Sequence, residues 1–207
     1  MNRLLFSTLL ALLFLGNKPS QAQKPGLPYN RFTGEITQTK LVETGQSREK
    51  TYKAIRCWIL KKYPNHREII KIDEPGPGKI VLQDSDPIAA GRFKSITYKI
   101  HIDIKDGSYS CTINNVMTLT PGTNVYRSAD QDFSRMGMYG KDIDDIDREI
   151  SITRNKKQRA KLYQKRQFFK SLLADYDKSH VAMDIQFTRI QNSIFEATNA
   201  NDSLAAN

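Results

Sequence analysis

Five acidic residues fall close together in the second half of this chain, where they could bind a metal ion. They are Asp142, Asp144, Asp145, Asp147 and Glu149. Carboxylate oxygens suit calcium, but a calcium loop needs a sharp turn, commonly with glycine at its sixth position. Here isoleucines fill the intervening positions at helical spacing, and no such glycine is present. Acidic side chains stabilise the positive end of a helix, so we predict a structural role at a helix N-terminus instead of a metal site.

A strongly basic run follows this acidic cluster. Residues 151–170 contain no acid. The side chains we expect to contact an anion or a partner are Arg154, Lys156, Lys157, Arg159, Lys161, Lys165 and Arg166. Two interpretations are open, a solvated helix face and a contact surface for an anionic membrane or polymer. Nucleic-acid modules usually add stacking aromatic residues or a recognisable reading helix, so we do not expect nucleic acid as the partner.

Signatures of catalysis are missing from the rest of the chain. His66, His101 and His180 are far apart, with no carboxylate or cysteine at ligand spacing. Residues 84–86 (Asp-Ser-Asp) form no hydrolase elbow, and the glycines in residues 76–78 flank a proline, which has no N–H to offer a phosphate. We therefore predict no catalytic residue, no metal and no cofactor. An envelope hydrolase whose groups converge only in space stays the alternative.

The first 22 residues indicate where the protein works. Arg3 precedes an apolar run from Leu4 to Leu15, and small residues at 20–22 close the segment. This is the pattern of a secretory signal peptide, and the run is too short to cross a bilayer as a stable helix. We predict cleavage after Ala22, no transmembrane span afterwards, and a soluble periplasmic or extracellular protein.

Composition limits the size, charge and disulfide content of the chain that remains after cleavage of the signal peptide. About 185 residues suffice for one compact domain with an appendage, and about eight more basic than acidic residues remain. The only cysteines are Cys57 and Cys111. An oxidising compartment would permit a disulfide between them, but each also suits a free thiol in regular structure, so both alternatives stay open.

The first half of the chain alternates between strand and helix periods. Residues 32–42 predict a strand, and Ser47 is suited to cap the helix that follows. Apolar side chains then recur at helical spacing, at Tyr52, Ile55, Ile59 and Tyr63, with Trp58 beside them. Residues 68–73 and 79–83 are short strand candidates around a Pro-Gly turn, and residues 84–91 predict a loop.

The clearest strand lies near residue 100. Apolar side chains alternate with polar ones at Ile96, Tyr98, Ile100, Ile102 and Ile104. Residues 105–108 predict a hairpin turn, followed by a partner strand over 109–119. A sheet with one solvent-exposed face must bury only its other, apolar face, and the helix bearing Trp58 must pack its apolar side against such a surface. We therefore predict an α+β fold with an antiparallel sheet of about five strands, ordered β-α-β-β-β-β, and helix on one face.

Several runs in this half resemble a known family. They are LVE at 41–43, GQS at 45–47, YKAIRCWI at 52–59, KIV at 79–81 and YKIHIDIKDG at 98–107, followed by Tyr109. They are similar to exported bacterial domains of the family called domain of unknown function 4468, which has a TATA-binding-protein-like fold. The resemblance covers about residues 32–120. It implies a curved antiparallel sheet backed by helices, and it supplies no activity and no functional residue.

The second half predicts mainly helix. Residues 124–140 lack a clear period and suggest a loop, whereas Met183, Phe187, Ile190 and Ile194 recur at helical spacing after a possible cap at Ser179. Alternation over residues 181–187 would also suit a strand. The predicted divisions are a signal peptide (1–22), a leader (23–31), the α+β domain (32–120), a charged helical extension (121–198) and a disordered tail (199–207).

The function predicted from these observations is broad. We expect an exported, non-catalytic domain that binds or scaffolds an envelope partner, either a protein or an anionic surface. Nothing in the residues specifies the partner or an oligomeric state. The alternatives are the envelope hydrolase named above and a binder of anionic lipid or polymer that uses residues 154–170.

Overall fold

The computed structural model describes residues 27–28, 30, 33–88 and 90–203. The predicted signal peptide, its cleavage site and residues 204–207 lie outside the described residues. Within the described ranges, no helix is both long enough and apolar enough to cross a membrane.

Six strands and four helices make up the described chain. In order they are β1 (Gln38–Glu43), α1 (Arg48–Lys62), α2 (His66–Ile69), β2 (Ile70–Glu74), β3 (Lys79–Pro87), β4 (Ser95–Lys105), β5 (Ser108–Leu119), β6 (Tyr126–Ser128), α3 (Ala129–Ile152) and α4 (Lys156–Ser203). The predicted α+β class is confirmed.

All the strands belong to one antiparallel sheet. Its order is β1-β5-β4-β3-β2, and β6 pairs with the later part of β5, beyond the residues that β1 pairs with. The long β4–β5 hairpin shifts register between Thr97 and Lys99. Asn115 adopts a positive φ of 55° near this shift. In a regular strand, residues an odd number of positions apart face opposite sides of the sheet. The irregularity allows Ile113 and Val116, three positions apart, both to be buried.

The apolar face of the sheet is sealed, as the strand pattern predicts. Ile100 and Ile102 are fully buried, and Trp58 on α1 is only 8% exposed. The sequence predicts one helix over this face, but a second helix, α4, shares the cover. Its buried side chains join the same core and include Tyr176, Met183, Phe187, Ile190 and Ile194.

Polar contacts fix both covering helices. Ser47 caps α1 as predicted, since its Oγ accepts from the backbone N–H of Lys50 at 3.3 Å. Gln191 of α4 donates to the backbone oxygens of Gln38 and Cys111, at 3.2 and 3.1 Å, so α4 is hydrogen-bonded to both β1 and β5.

Residues 124–140 are not the loop that their weak period suggests. They form β6 and the first half of α3, although this half contains Gly137 and Gly140. Asp132 is buried here and accepts a hydrogen bond of 2.7 Å from Thr118 Oγ, and Ala129 is buried in the main core. Tertiary contacts with β5 therefore outweigh the low helix propensity of the glycines.

The C-terminal helix is also longer than predicted. Ser179 does not cap a new helix, because it lies fully buried inside α4 and donates to the backbone oxygen of Asp175. The helix continues to Ser203, into the range that the sequence predicts as a tail. The strand alternative for residues 181–187 is wrong, because the side chains of the helical period are the buried ones.

The second half of α3 and the first part of α4 form a two-helix arm, which we define as residues 141–170. Ile146, Ile150 and Leu162 form a small core of their own, with Phe169 packed against it. This core is separate from the main one. Twelve residues of α3 make the arm about 18 Å long.

Neither cysteine forms a disulfide. Cys57 is exposed on α1, and Cys111 is buried on β5. Burial raises the pKa of the Cys111 thiol to about 12, so this cysteine behaves as a small core residue.

Gly91, in the β3–β4 connection, lies directly against α4. Its φ is +80°, and an added methyl group would overlap the backbone oxygen of Asp175 and Oγ of Ser179. The same Oγ accepts from the backbone N–H of Arg92 at 2.7 Å. Glycine is therefore required here by both its conformation and the space available.

We predict that Gly91→Ala lowers the free energy of unfolding by about 2–4 kcal/mol, combining left-handed strain with overpacking. Gly107→Ala is the matched control, because Gly107 has a φ of +84° but nothing within 4 Å of an added Cβ. It should lose only about 1–2 kcal/mol. Urea unfolding measures both variants, and equal losses would show that the Gly91 contact with α4 does not matter.

Candidate functional site

Six of the seven basic residues singled out in the sequence lie on the first turns of α4, and Arg154 lies in the loop before it. Six of the seven are exposed: Arg154, Lys156, Lys157, Arg159, Lys161 and Lys165. Arg166 is half-buried and pairs with Asp147 of α3, with Nε–Oδ1 and Nη2–Oδ2 distances of 2.6 and 3.0 Å. In the described chain it is the only member of the set that forms an ion pair.

The acidic cluster occupies the facing helix of the arm. Asp142 to Glu149 lie in the second half of α3, not at a helix N-terminus as predicted. They therefore do not complement the dipole of α3. Their negative charge lies beside the basic helix, where Asp147 pairs with Arg166 and Asp145 pairs with Arg148 of its own helix. The arm has one acidic helix and one basic helix.

Large apolar side chains are exposed among the cations of the arm. Ile152 at the tip is 79% exposed, Phe168 60% and Tyr163 44%. The guanidinium of Arg159 lies 6.0 Å from the ring centroid of Tyr163. Exposed aromatic and basic side chains together are typical of contact surfaces.

A groove separates α1 from α4 on the outer side of the two covering helices. The helices run antiparallel, because Gln46 donates to the backbone oxygen of Thr198 at 3.0 Å and Trp58 Nε1 donates to Ser193 Oγ at 3.2 Å. The groove has a volume of about 520 Å³. Its lining is Ala54, Cys57, Trp58, Lys61, Lys62, Arg189, Ser193, Ala197 and Ala200.

The two ends of the groove differ in chemistry. Lys61, Lys62 and Arg189 lie at one end, and alanines line the other. The ammonium of Lys62 lies 5.2 Å from the ring centroid of Trp58. Partial burial lowers the pKa of Lys62, and nearby Arg189 acts in the same direction. Asp84 and Asp86 oppose this shift.

Two carboxylates and a tyrosine meet beside the cationic end. Asp84 and Asp86 belong to β3, although the sequence predicts a loop from residue 84. Their side chains point to the same face of the sheet as those of buried Ile80 and Leu82. The Tyr98 hydroxyl donates to Asp86 and lies 3.2 Å from Asp84 Oδ2. Gln186 Nε2 donates to Asp86 Oδ2 at 2.8 Å. Burial, together with the two carboxylates, raises the pKa of Tyr98 well above its usual range.

This Tyr98 cluster is better suited to holding β3 against α4 than to catalysis. Asp86 Oδ2 accepts from both Tyr98 and Gln186, so the phenol proton is already committed to a carboxylate of the fold. Sequence inspection missed the cluster because acidic residues after an apolar strand suggest a loop. The period-two spacing of Ile80, Leu82, Asp84 and Asp86 was the available signal.

The three histidines belong to three different elements. His66 begins α2, His101 lies within β4 and His180 lies within α4. The described residues contain no group of three or more side chains that could hold a metal ion. His180 is 9% exposed, its ring lies 6.4 Å from that of Tyr176, and burial lowers its pKa to about 4, against the opposing charge of Asp177.

We predict an acid-dependent loss of stability from His180. An unfolded histidine takes up its proton near pH 6.5 and the folded one near pH 4. Between these values the unfolded chain binds more protons, so the free energy of unfolding falls as the pH falls, by up to about 3 kcal/mol. The variant His180→Phe should lack this component in urea unfolding at pH 7, 5.5 and 4.5. Parallel pH profiles for the two proteins would contradict the assignment.

Removing the Tyr98 hydroxyl should destabilise the protein. Tyr98→Phe leaves Asp84 and Asp86 short of a buried donor, at a cost of about 1–3 kcal/mol in urea unfolding. Tyr126→Phe is the control, since this half-exposed hydroxyl contacts Ser95 Oγ, and its loss should change stability by less than about 0.5 kcal/mol. A double-mutant cycle with Asp86→Asn should show coupling, and strict additivity would contradict the contact.

Comparison by sequence finds no matching family model, and no curated protein matches at a significant level. Comparison with solved structures does find likenesses. A TBP-like protein from Parabacteroides distasonis aligns with a TM-score of 0.50 and 13% identity, over 84% of this chain and 97% of that one. A DUF4468 family protein from Bacteroides ovatus aligns with a TM-score of 0.42 and 13% identity, over 53% of this chain and 67% of that one.

The first likeness concerns the fold alone, because its sequence identity is 13%. The TATA-binding-protein-like fold implied by the sequence resemblance is confirmed. The likeness also extends past the resembling half, because 84% of the chain is covered. This protein has a TBP-like α+β fold.

Proposed function

We propose that this protein is a non-catalytic binding domain of the cell envelope, and that the basic helix of its arm contacts an anionic partner surface. The observation that carries the proposal is the unequal pairing within the arm. Six of the seven predicted basic residues are exposed, and only Arg166 is neutralised by the acidic helix. The location in the envelope rests on the predicted signal peptide.

The position of these cations supports a contact role. Lys157, Lys161 and Lys165 recur at four-residue spacing on α4, so they share one helix face and a planar surface could meet all three at once. Ile152 lies next to them and is 79% exposed, which adds an apolar contact at the tip. Cations beside exposed apolar side chains suit the boundary between anionic head groups and acyl chains.

The Tyr98 cluster supports a non-catalytic role. A general acid or base needs a free proton position within reach of a substrate. The Asp86 carboxylate instead accepts from both Tyr98 and Gln186, which belong to elements packed around it. These contacts give the cluster a structural use that requires no substrate.

Charge removal on the arm tests the proposal. We predict that replacing Arg154, Lys156, Lys157 and Arg159 by glutamine lowers partition onto vesicles of anionic phospholipid at least tenfold, and lowers the salt concentration that elutes the protein from heparin. Each cation near an anionic surface contributes about 1 kcal/mol, an attraction that salt screens. Vesicle sedimentation at several salt concentrations measures the effect.

The control removes the same number of charges from elsewhere on the surface. Arg67, Lys94, Lys105 and Arg127 are all exposed and lie outside the arm. Their replacement by glutamine should leave most of the vesicle and heparin binding intact. If both variants lose binding equally, overall charge is responsible and the arm is not the contact surface.

A further inference from the structure

We propose that the groove between α1 and α4 binds an amphiphile with a single apolar chain and an anionic head, the head lying at Lys61, Lys62 and Arg189. This site is separate from the arm. Arg189 lies 19 positions beyond Lys170 on the same helix, which corresponds to about 28 Å along its axis. The inference therefore goes beyond the proposed function and does not depend on it.

The shape of the groove suits an elongated ligand. Its volume of about 520 Å³ is within the range of small-molecule sites. Its lining residues span positions 54–62 on α1 and 189–200 on α4, so the helices border it for about 12–16 Å. Ala54, Ala197 and Ala200 keep the far end open because their side chains are short.

The floor of the groove is apolar and its position is fixed. Trp58 is held by its hydrogen bond to Ser193, so the two walls are joined below the opening. Ala54 and Trp58 line this floor with carbon and are only 3% and 8% exposed, so the open apolar surface is narrow. An alkyl chain lying here would cover this surface and lose its own contact with water.

Within the described chain, no close ion pair holds the cations of this end. Lys61, Lys62 and Arg189 form no ion pair there, and the ammonium of Lys62 lies over the Trp58 ring. Asp84 and Asp86 lie close enough to attract Lys62, and Tyr98 and Gln186 both donate to Asp86 Oδ2, so three cations face two carboxylates and the end keeps a positive charge. Three cations gathered at one end of an apolar groove complement a carboxylate or phosphate head, and they repel a cationic one.

The chain carries two native reporters for this site. Trp58 is its single tryptophan, and Cys57 is the exposed cysteine of the two, since Cys111 is buried. Both line the groove. A bound chain should therefore change tryptophan emission and slow the alkylation of one thiol, with no introduced label.

The experiment uses the chain from residue 23 and three probes with the same tail, each below its critical micelle concentration. Dodecanoate and dodecyl phosphate should bind with saturation, shift Trp58 emission and slow alkylation of Cys57 by about tenfold or more. Dodecyltrimethylammonium should do neither. Binding of one anionic probe alone would assign the head to a carboxylate or to a phosphate. Equal effects from the cationic probe, or none from either anion, would overturn the proposal.

Variants separate the head site from the tail site. Lys62→Gln combined with Arg189→Gln should weaken dodecanoate binding by about tenfold, because two exposed charge contacts are lost. Ala197→Trp should fill the apolar end and abolish binding, with Ala197→Ser as the small control. If Ala197→Trp fails to fold, dodecanoate binding is measured with Lys62→Glu, which reverses a charge at the head site. Unchanged affinity in the charge variants would overturn the proposed site, and the arm variant should bind like the wild type.

Discussion

The apolar face of the sheet is wider than a single helix, and the rest of the architecture follows from this. Strands lie about 4.8 Å apart, so five side by side span about 20 Å, whereas a helix with its side chains is about 10–12 Å across. The helix α1 covers part of the face, and the last half of α4 must cover the remainder. Fully buried Phe187 and Ile194 show how completely α4 belongs to the main core.

Two features follow from covering the sheet with two helices. Neighbouring cylinders leave a valley between them, and small side chains such as Ala54 and Ala197 keep this one open. The helix α4 also begins well before it reaches the sheet, so its first turns need another apolar partner. The second half of α3 supplies that partner through Ile146 and Ile150, and the arm results. Groove and arm are thus products of one long helix that packs on two surfaces.

The sequence predicts an element well when the residues of that element alone determine its hydrophobic pattern. The alternation around Ile100 and the helical spacing around Trp58 predicted β4, β5 and α1 closely, and the basic residues of the arm were found by composition. Elements that depend on distant contacts were missed. Residues 126–140 are ordered by β5, and Asp84 and Asp86 remain in a strand because β3 pairs with β4 as far as Pro87. The groove could not be foreseen, since its walls lie more than 120 positions apart and meet only when α4 docks.

The continuity of α4 has a spatial consequence. The helix is unbroken from Lys156 at the arm tip to the turn at Tyr176, where it joins the core. Twenty residues of helix correspond to about 30 Å, close to the diameter of a small domain. Anything held at the tip is therefore kept away from the main core by the arm, which is about 18 Å long.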